Sequence, residues 1–265
     1  MHGLIRSVLK RCISPWWLKR LRDLEKWRRA RRKGSWRLGW GEFVLNGVQV
    51  LVKERIDVVG RLDYPRAEIF MAAASAAQLT RMNACAKEPE TVAWLETHLR
   101  PADVLYDVGA HVGGYALIAA ARAPEGSVFA FEPNARLFAA LVRNLQLNNW
   151  RDRVVALPVA LGARTEAGMS LTYRLDELRN ALQLPAPTLL KIDVDGEEAT
   201  VLQGARETLR EPNLRTLLVE IEELPGAEPE ALGLVTDAGF RVLAKHPRGK
   251  GGSRTTFNYV FARIY

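Results

Sequence analysis

From Asp103 onward, apolar residues fall into two alternating patterns. Compact apolar runs such as "VLYDVG", "SVFAFE", "RVVALPVAL", "TLLKIDV" and "RTLLVEIE" predict strands. Between them, "GYALIAAARA", "ARLFAALVRNLQLNN", "RLDELRNALQL" and "EEATVLQGARETLR" carry helical spacing. This alternation predicts an α/β domain with a doubly wound, mostly parallel sheet over residues 100–265. The end differs: "FRVLAK" and "FNYVFARI" are separated only by the polar, glycine-rich stretch 247–253. With no helix to cross back, that pair should be an antiparallel hairpin.

Before the domain, "WRLGWGEFVLNGVQVLV" reads as strands around the turn dipeptide Asn46-Gly47. "AEIFMAAASAAQLTRMNACAK" reads as an alanine-rich helix, and "EPETVAWLETHL" as another beginning at Pro89. Residues 34–99 are therefore expected to form a cap. In the first 33 residues Leu4, Ile5, Val8, Leu9 and Cys12 can share one helical face, as can Trp17, Leu21 and Leu24.

Charge changes the picture only at that end. The chain carries +8, yet residues 1–33 hold twelve Lys/Arg against two Asp/Glu, so residues 34–265 are slightly acidic. A basic amphipathic helix with tryptophans suits an anionic bilayer surface, or it packs on the core with its basic face solvated. Arg6, Lys10 and Arg11 interrupt any secretory leader, and no run is long enough to span a bilayer. The two cysteines, Cys12 and Cys85, lack metal spacing. A cytoplasmic protein, peripheral at the inner membrane face where the tail engages lipid, is the expectation.

The first strand ends in "DVGAHVGG", Asp107 to Gly114, and ligands of doubly wound sheets bind at such strand ends. A dinucleotide fingerprint would need a second glycine two residues after Gly109, which is absent, and Asp107 would repel a diphosphate. Glu132 ends the second strand, 23 residues after Gly109, where an acid can accept ribose hydroxyls. With the antiparallel final pair, this combination favours S-adenosylmethionine, whose sulfonium and amino groups are positive.

The blocks "VLYDVGAHVGGYALIAAA", "VFAFEPNARLFAALVRNLQLNN", "LLKIDVDGEEATVLQGA" and "LLVEI" together resemble the FkbM-type family of S-adenosylmethionine-dependent methyltransferases over about residues 87–265. The resemblance implies a class I methyltransferase (Rossmann-like) fold acting on a hydroxyl of a sugar, glycolipid, polysaccharide or polyketide. It places the methyl donor on Asp107, Gly109, His111 and Gly113, then on Glu132, Pro133 and Asn134. Asn144 and Asn148 take the asparagines of the second helix, and Asp193, Asp195, Gly196 and Glu198 the "KIDVEGxE"-like positions. His111 stands where the family usually has Asn, and Asp195 where it usually has Glu. The segment between Gly162 and Arg174 is shorter than in many members.

Each candidate also has a plainer reading. Asp107 could cap a turn, Gly109 and Gly113 could serve backbone geometry alone, and Tyr115 could contact the donor or simply pack. Asp193 ends an apolar strand, where a carboxylate is costly unless paired or facing a cleft, so it is the first choice for the catalytic base. His111 is the second. Asp195, Glu198, Glu220 and Glu222 are expected to line the substrate side. Glu220 and Glu222 alternate, and with Asp193 they could hold a divalent ion, although positioning of substrate hydroxyls is preferred. The alternatives to a hydroxyl methyltransferase are a nucleic-acid methyltransferase recruited by the basic tail and a non-catalytic, membrane-associated binding module. The core shows no matching basic motif, so no nucleic-acid partner is favoured.

Overall fold

The structure, a computed structural model, describes residues 34–39, 43–45, 48–50, 55–167, 171–223, 229–247 and 255–264. The expected amphipathic helix of residues 1–33, the Asn46-Gly47 turn and most of the 247–253 loop lie outside these residues.

A seven-stranded sheet forms the centre. Its strands are β1 (Val104–Val108), β2 (Ser127–Phe131), β3 (Val154–Leu157), β4 (Leu189–Ile192), β5 (Thr216–Glu222), β6 (Phe240–Pro247) and β7 (Thr256–Arg263). Across the sheet the order is β6-β7-β5-β4-β1-β2-β3. Strands β3, β2, β1, β4 and β5 run parallel, while β7 is antiparallel to both β5 and β6. The expected doubly wound sheet and final antiparallel pair are both present. Its strand order is that of the class I methyltransferase fold, with the reversal between β1 and β4.

Apolar residues explain why these strands sit inside. Leu189, Leu190 and Ile192 of β4 are fully buried, as a central parallel strand covered on both faces requires. Helices α1 (Pro89–His98), α2 (Gly114–Arg122) and α3 (Ala135–Leu147) cover one face. Helices α4 (Leu175–Ala181), α5 (Glu198–Gln203) and α6 (Glu230–Asp237) contribute to the other core layer. Leu62, Ile69, Met71, Trp94 and Leu95, from the stretch read as a cap, pack in the same core as Leu105, Leu117 and Leu141. Among the described residues no helix is long and apolar enough to cross a membrane.

The cap itself departs from expectation. The supposed alanine-rich helix opens as a strand, Phe70–Ala73, and only then forms the short helices Ala76–Thr80 and Ala84–Lys87. That strand pairs with Arg55–Arg61, which pairs in turn with Gly34–Gly39. Side chains from α3 hold its other edge. Asn144 Oδ1 accepts from Ala72 N at 2.7 Å, and Asn148 bonds both the N–H and the carbonyl of Phe70. These amide contacts outweigh the helix preference of alanine.

Two further elements were overextended by the periodicity. "RVVALPVAL" divides around Pro158 into β3 and a two-residue strand, Ala160–Leu161, that joins a separate small sheet. "EEATVLQGARETLR" gives α5, stops at Gly204, and resumes as a 3-10 turn, Thr208–Arg210.

Candidate active site

The carboxyl ends of β1, β2, β4 and β5 converge on the predicted residues. At β1 the chain leaves the sheet through Gly109 and Ala110, whose N–H groups both donate to Phe131 O at 3.0 Å. Gly109 has φ +79°, and a Cβ there would lie 1.9 Å from the backbone oxygen of Asp193. Only glycine allows the loop to lie against the β4 tip in this way. Gly113 begins α2 at φ +89°, and a Cβ there would meet Leu141 at 2.4 Å. His111 lies between them at φ +53°, a left-handed conformation that side chains with a Cβ rarely adopt.

Asp107 is fully buried, but it does not stand open in the loop. Its Oδ1 lies 3.2 Å from the Lys191 ammonium, and neither carboxylate oxygen accepts a well-aligned hydrogen bond among the described residues. Lys191 faces it across the register, since Lys191 and Asp107 are paired positions of β4 and β1. The same ammonium reaches Asp193 Oδ2 at 3.4 Å and lies 5.4 Å from the centre of the Tyr115 ring. Tyr115 OH donates to Glu88 Oε2 at 2.9 Å, joining the segment before α1 to this cluster. Burial opposes the charge on Lys191, yet Asp107, Asp193 and Glu88 hold its pKa above the usual lysine value. An ammonium sealed among carboxylates is the reason three charges can sit at the sheet's centre.

Glu132 ends β2 and is also buried, with a different solution. Its Oε2 accepts from His111 N and its Oε1 from Asn134 N, both at 2.8 Å. Burial raises its pKa, while these backbone donors oppose the shift. Asn134 caps α3 through Oδ1, which accepts from Arg136 N and Leu137 N, and Pro133 is exposed. Asn144 Nδ2 donates to Val112 O at 2.8 Å, so α3 also braces the β1 loop.

Beyond β4, Asp195 at φ +55° and Gly196 at φ +104° turn the chain sharply into α5. Glu198 closes that turn, its Oε1 accepting from Val194 N and Gly196 N. The turn brings Asp195 back toward Asp193. Carboxylate oxygens of Asp193, Asp195 and Glu220 all lie within 4.8 Å of one another. Such an oxygen set could hold a hard divalent cation or bind hydroxyl groups. Glu222 is not part of this close group, although it lines the same cavity of about 230 Å³ with Asp195, Gly196, Glu198, Glu220 and Thr256. His111 sits at the site's edge. Burial, and then the nearby Arg81, push its pKa down to about 4, and its Nδ1 is buried without a hydrogen-bond partner among the described residues. It is therefore neutral at pH 7.

The structure thus gathers Asp107, Asp193, Asp195, Glu198 and Glu220 at neighbouring strand ends, beside the loop carrying Gly109, His111 and Gly113. Lys191 is the functional candidate that the sequence pattern did not flag. Its signal was a lysine inside an otherwise apolar strand, two residues before a carboxylate.

The methyltransferase FkbM domain model matches residues 171–242. Hexuronic acid methyltransferase AglP of Haloferax volcanii is 29% identical over 175 residues, covering 59% of this chain and 70% of that protein. The 31-O-demethyl-FK506 methyltransferase FkbM of Streptomyces tacrolimicus is 29% identical over 198 residues, covering 56% and 76%. Methyltransferase sdnD of Sordaria araneosa is 26% identical over 192 residues, covering 52% and 73%. With strand order, matched domain and relatives in agreement, the chain is a methyltransferase related to the FkbM type.

Proposed function

We propose that this chain transfers a methyl group from S-adenosylmethionine to a hydroxyl oxygen of a sugar-like or polyketide-like acceptor. The observation that carries the reading is the joining, at the sheet's reversal, of a left-handed glycine loop with carboxylates from three neighbouring strands. The residues fit such a donor: negative charge suits its sulfonium and amino groups, and Glu132 stands where a ribose would lie. The named activities of AglP and FkbM support a hydroxyl-bearing acceptor.

When bound, the donor supplies an activated methyl, so the protein's work is placement. The acceptor oxygen forms the new C–O bond as the C–S bond breaks, and its proton passes to a carboxylate. Asp193, half-buried at the β4 tip, is the group we assign to take or orient that proton. Asp195, Glu198, Glu220 and Glu222 give the adjoining cavity acceptors for hydroxyl groups. His111, neutral at pH 7, acts as a hydrogen-bonding loop residue.

The test is transfer of labelled methyl from S-adenosylmethionine into a panel of sugars, glycolipid extracts and polyketides. Asp193→Asn should keep donor affinity and lower turnover by about 10²- to 10⁴-fold. Undiminished turnover removes Asp193 from the mechanism, and labelling of nucleic acid instead of the panel overturns the acceptor class.

A further inference from the structure

Three ionised groups meet at the tips of β1 and β4: Asp107, Lys191 and Asp193. Asp107 and Lys191 are almost wholly enclosed, so water screens neither of them well. Asp193 keeps about a fifth of its side chain exposed and touches the loop through Gly109. The trio therefore bears one net negative charge, and its accessible part lies on Asp193. Without the lysine, two carboxylates would stand on adjacent strand ends.

Resting on the methyl-donor reading above, we propose that Lys191 is a specificity-determining residue that sets the charge the donor meets. By binding both aspartates it cancels Asp107 and presents Asp193 alone to the cationic ligand. A single uncancelled charge favours the sulfonium donor over its neutral thioether product, S-adenosylhomocysteine, while a doubled charge would hold the donor too firmly for its charge to be lost on transfer. The Tyr115 ring and Glu88 keep the ammonium from swinging away.

The consequence is a ratio, not an affinity. A merely structural role for Lys191 would change binding of both ligands together, whereas a charge-setting role changes donor relative to product. Calorimetry of the full chain in EDTA, with S-adenosylmethionine and S-adenosylhomocysteine as probes, reads this directly. Asp107→Asn leaves the trio neutral and should weaken the donor relative to the product by about tenfold. Adding Lys191→Met to Asp107→Asn restores one net negative charge and should return the ratio to within about threefold of the original. Lys191→Met alone should leave the ratio unchanged or raised, according to whether buried Asp107 takes up a proton.

If the single variant does not fold, Asp107→Asn and the charge-balanced pair still decide the matter. A ratio unmoved by Asp107→Asn, or not restored in the pair, overturns the inference alone. Failure of the unaltered protein to bind either probe overturns the methyl-donor reading and this inference with it.

Discussion

Asp107 and Glu132 end adjacent parallel strands, and both carboxylates are buried. Asp107 relies on a distant ammonium, Lys191 of β4, while Glu132 relies on two backbone N–H groups close in sequence. The first solution joins strands far apart along the chain; the second fixes the shape of one loop. A charge compensated by a charge fails abruptly when its partner is removed. One held by neutral donors loses its support piecemeal.

The strongest way to break the comparison is Lys191→Met. It leaves Asp107 buried without its cation, and urea unfolding should show a loss of about 3–5 kcal/mol. Most of that loss should be recovered when Asp107→Asn is added. Glu132→Ala comes next, stranding the N–H of His111 at a cost of about 1–3 kcal/mol in the same assay. It should also weaken S-adenosylmethionine binding, and an unchanged dissociation constant would count against the ribose assignment. Asn144→Ala removes the bonds to Ala72 N and Val112 O and should cost about 1–2 kcal/mol. Limited proteolysis would then find the Phe70–Ala73 strand cut earlier than in the unaltered protein.

The smallest effect sharpens the picture of the β1 loop. His111 has its pKa depressed to about 4, below the usual value of 6.5, so the unfolded chain binds its proton first. Stability contributed by the neutral ring is complete above pH 6.5 and is lost as pH falls toward 4. His98 is also depressed, by burial and Arg215, so some acid sensitivity remains without His111. His111→Asn should flatten the difference between stability at pH 7 and at pH 5, measured by denaturant titration at both values.

These contrasts also show what a sequence makes visible. The β1 loop was legible because its demands are local: Gly109 and Gly113 need positive φ, and the strand before them is uniformly apolar. The final antiparallel pair was legible because no helix could fit between its strands. The strand at Phe70–Ala73 was not, since its amide partners Asn144 and Asn148 lie more than 70 residues away and alanine argues locally for helix. Lys191 was hidden for the same reason, its meaning resting on Asp107, 84 residues earlier. Alternation along β5 put Glu222 beside Glu220, as the shared cavity bears out. It could not show that a left-handed turn at Asp195 would bring that residue into the closest group with Asp193 and Glu220.

The account's central claim is that the tips of β1, β2 and β4 form the methyl-donor site. A crystal structure of the protein with S-adenosylhomocysteine tests it most directly. The account predicts the ribose hydroxyls on Glu132 and the sulfur between the Gly109 loop and Asp193. Clear density for the nucleoside anywhere else on the molecule would contradict it.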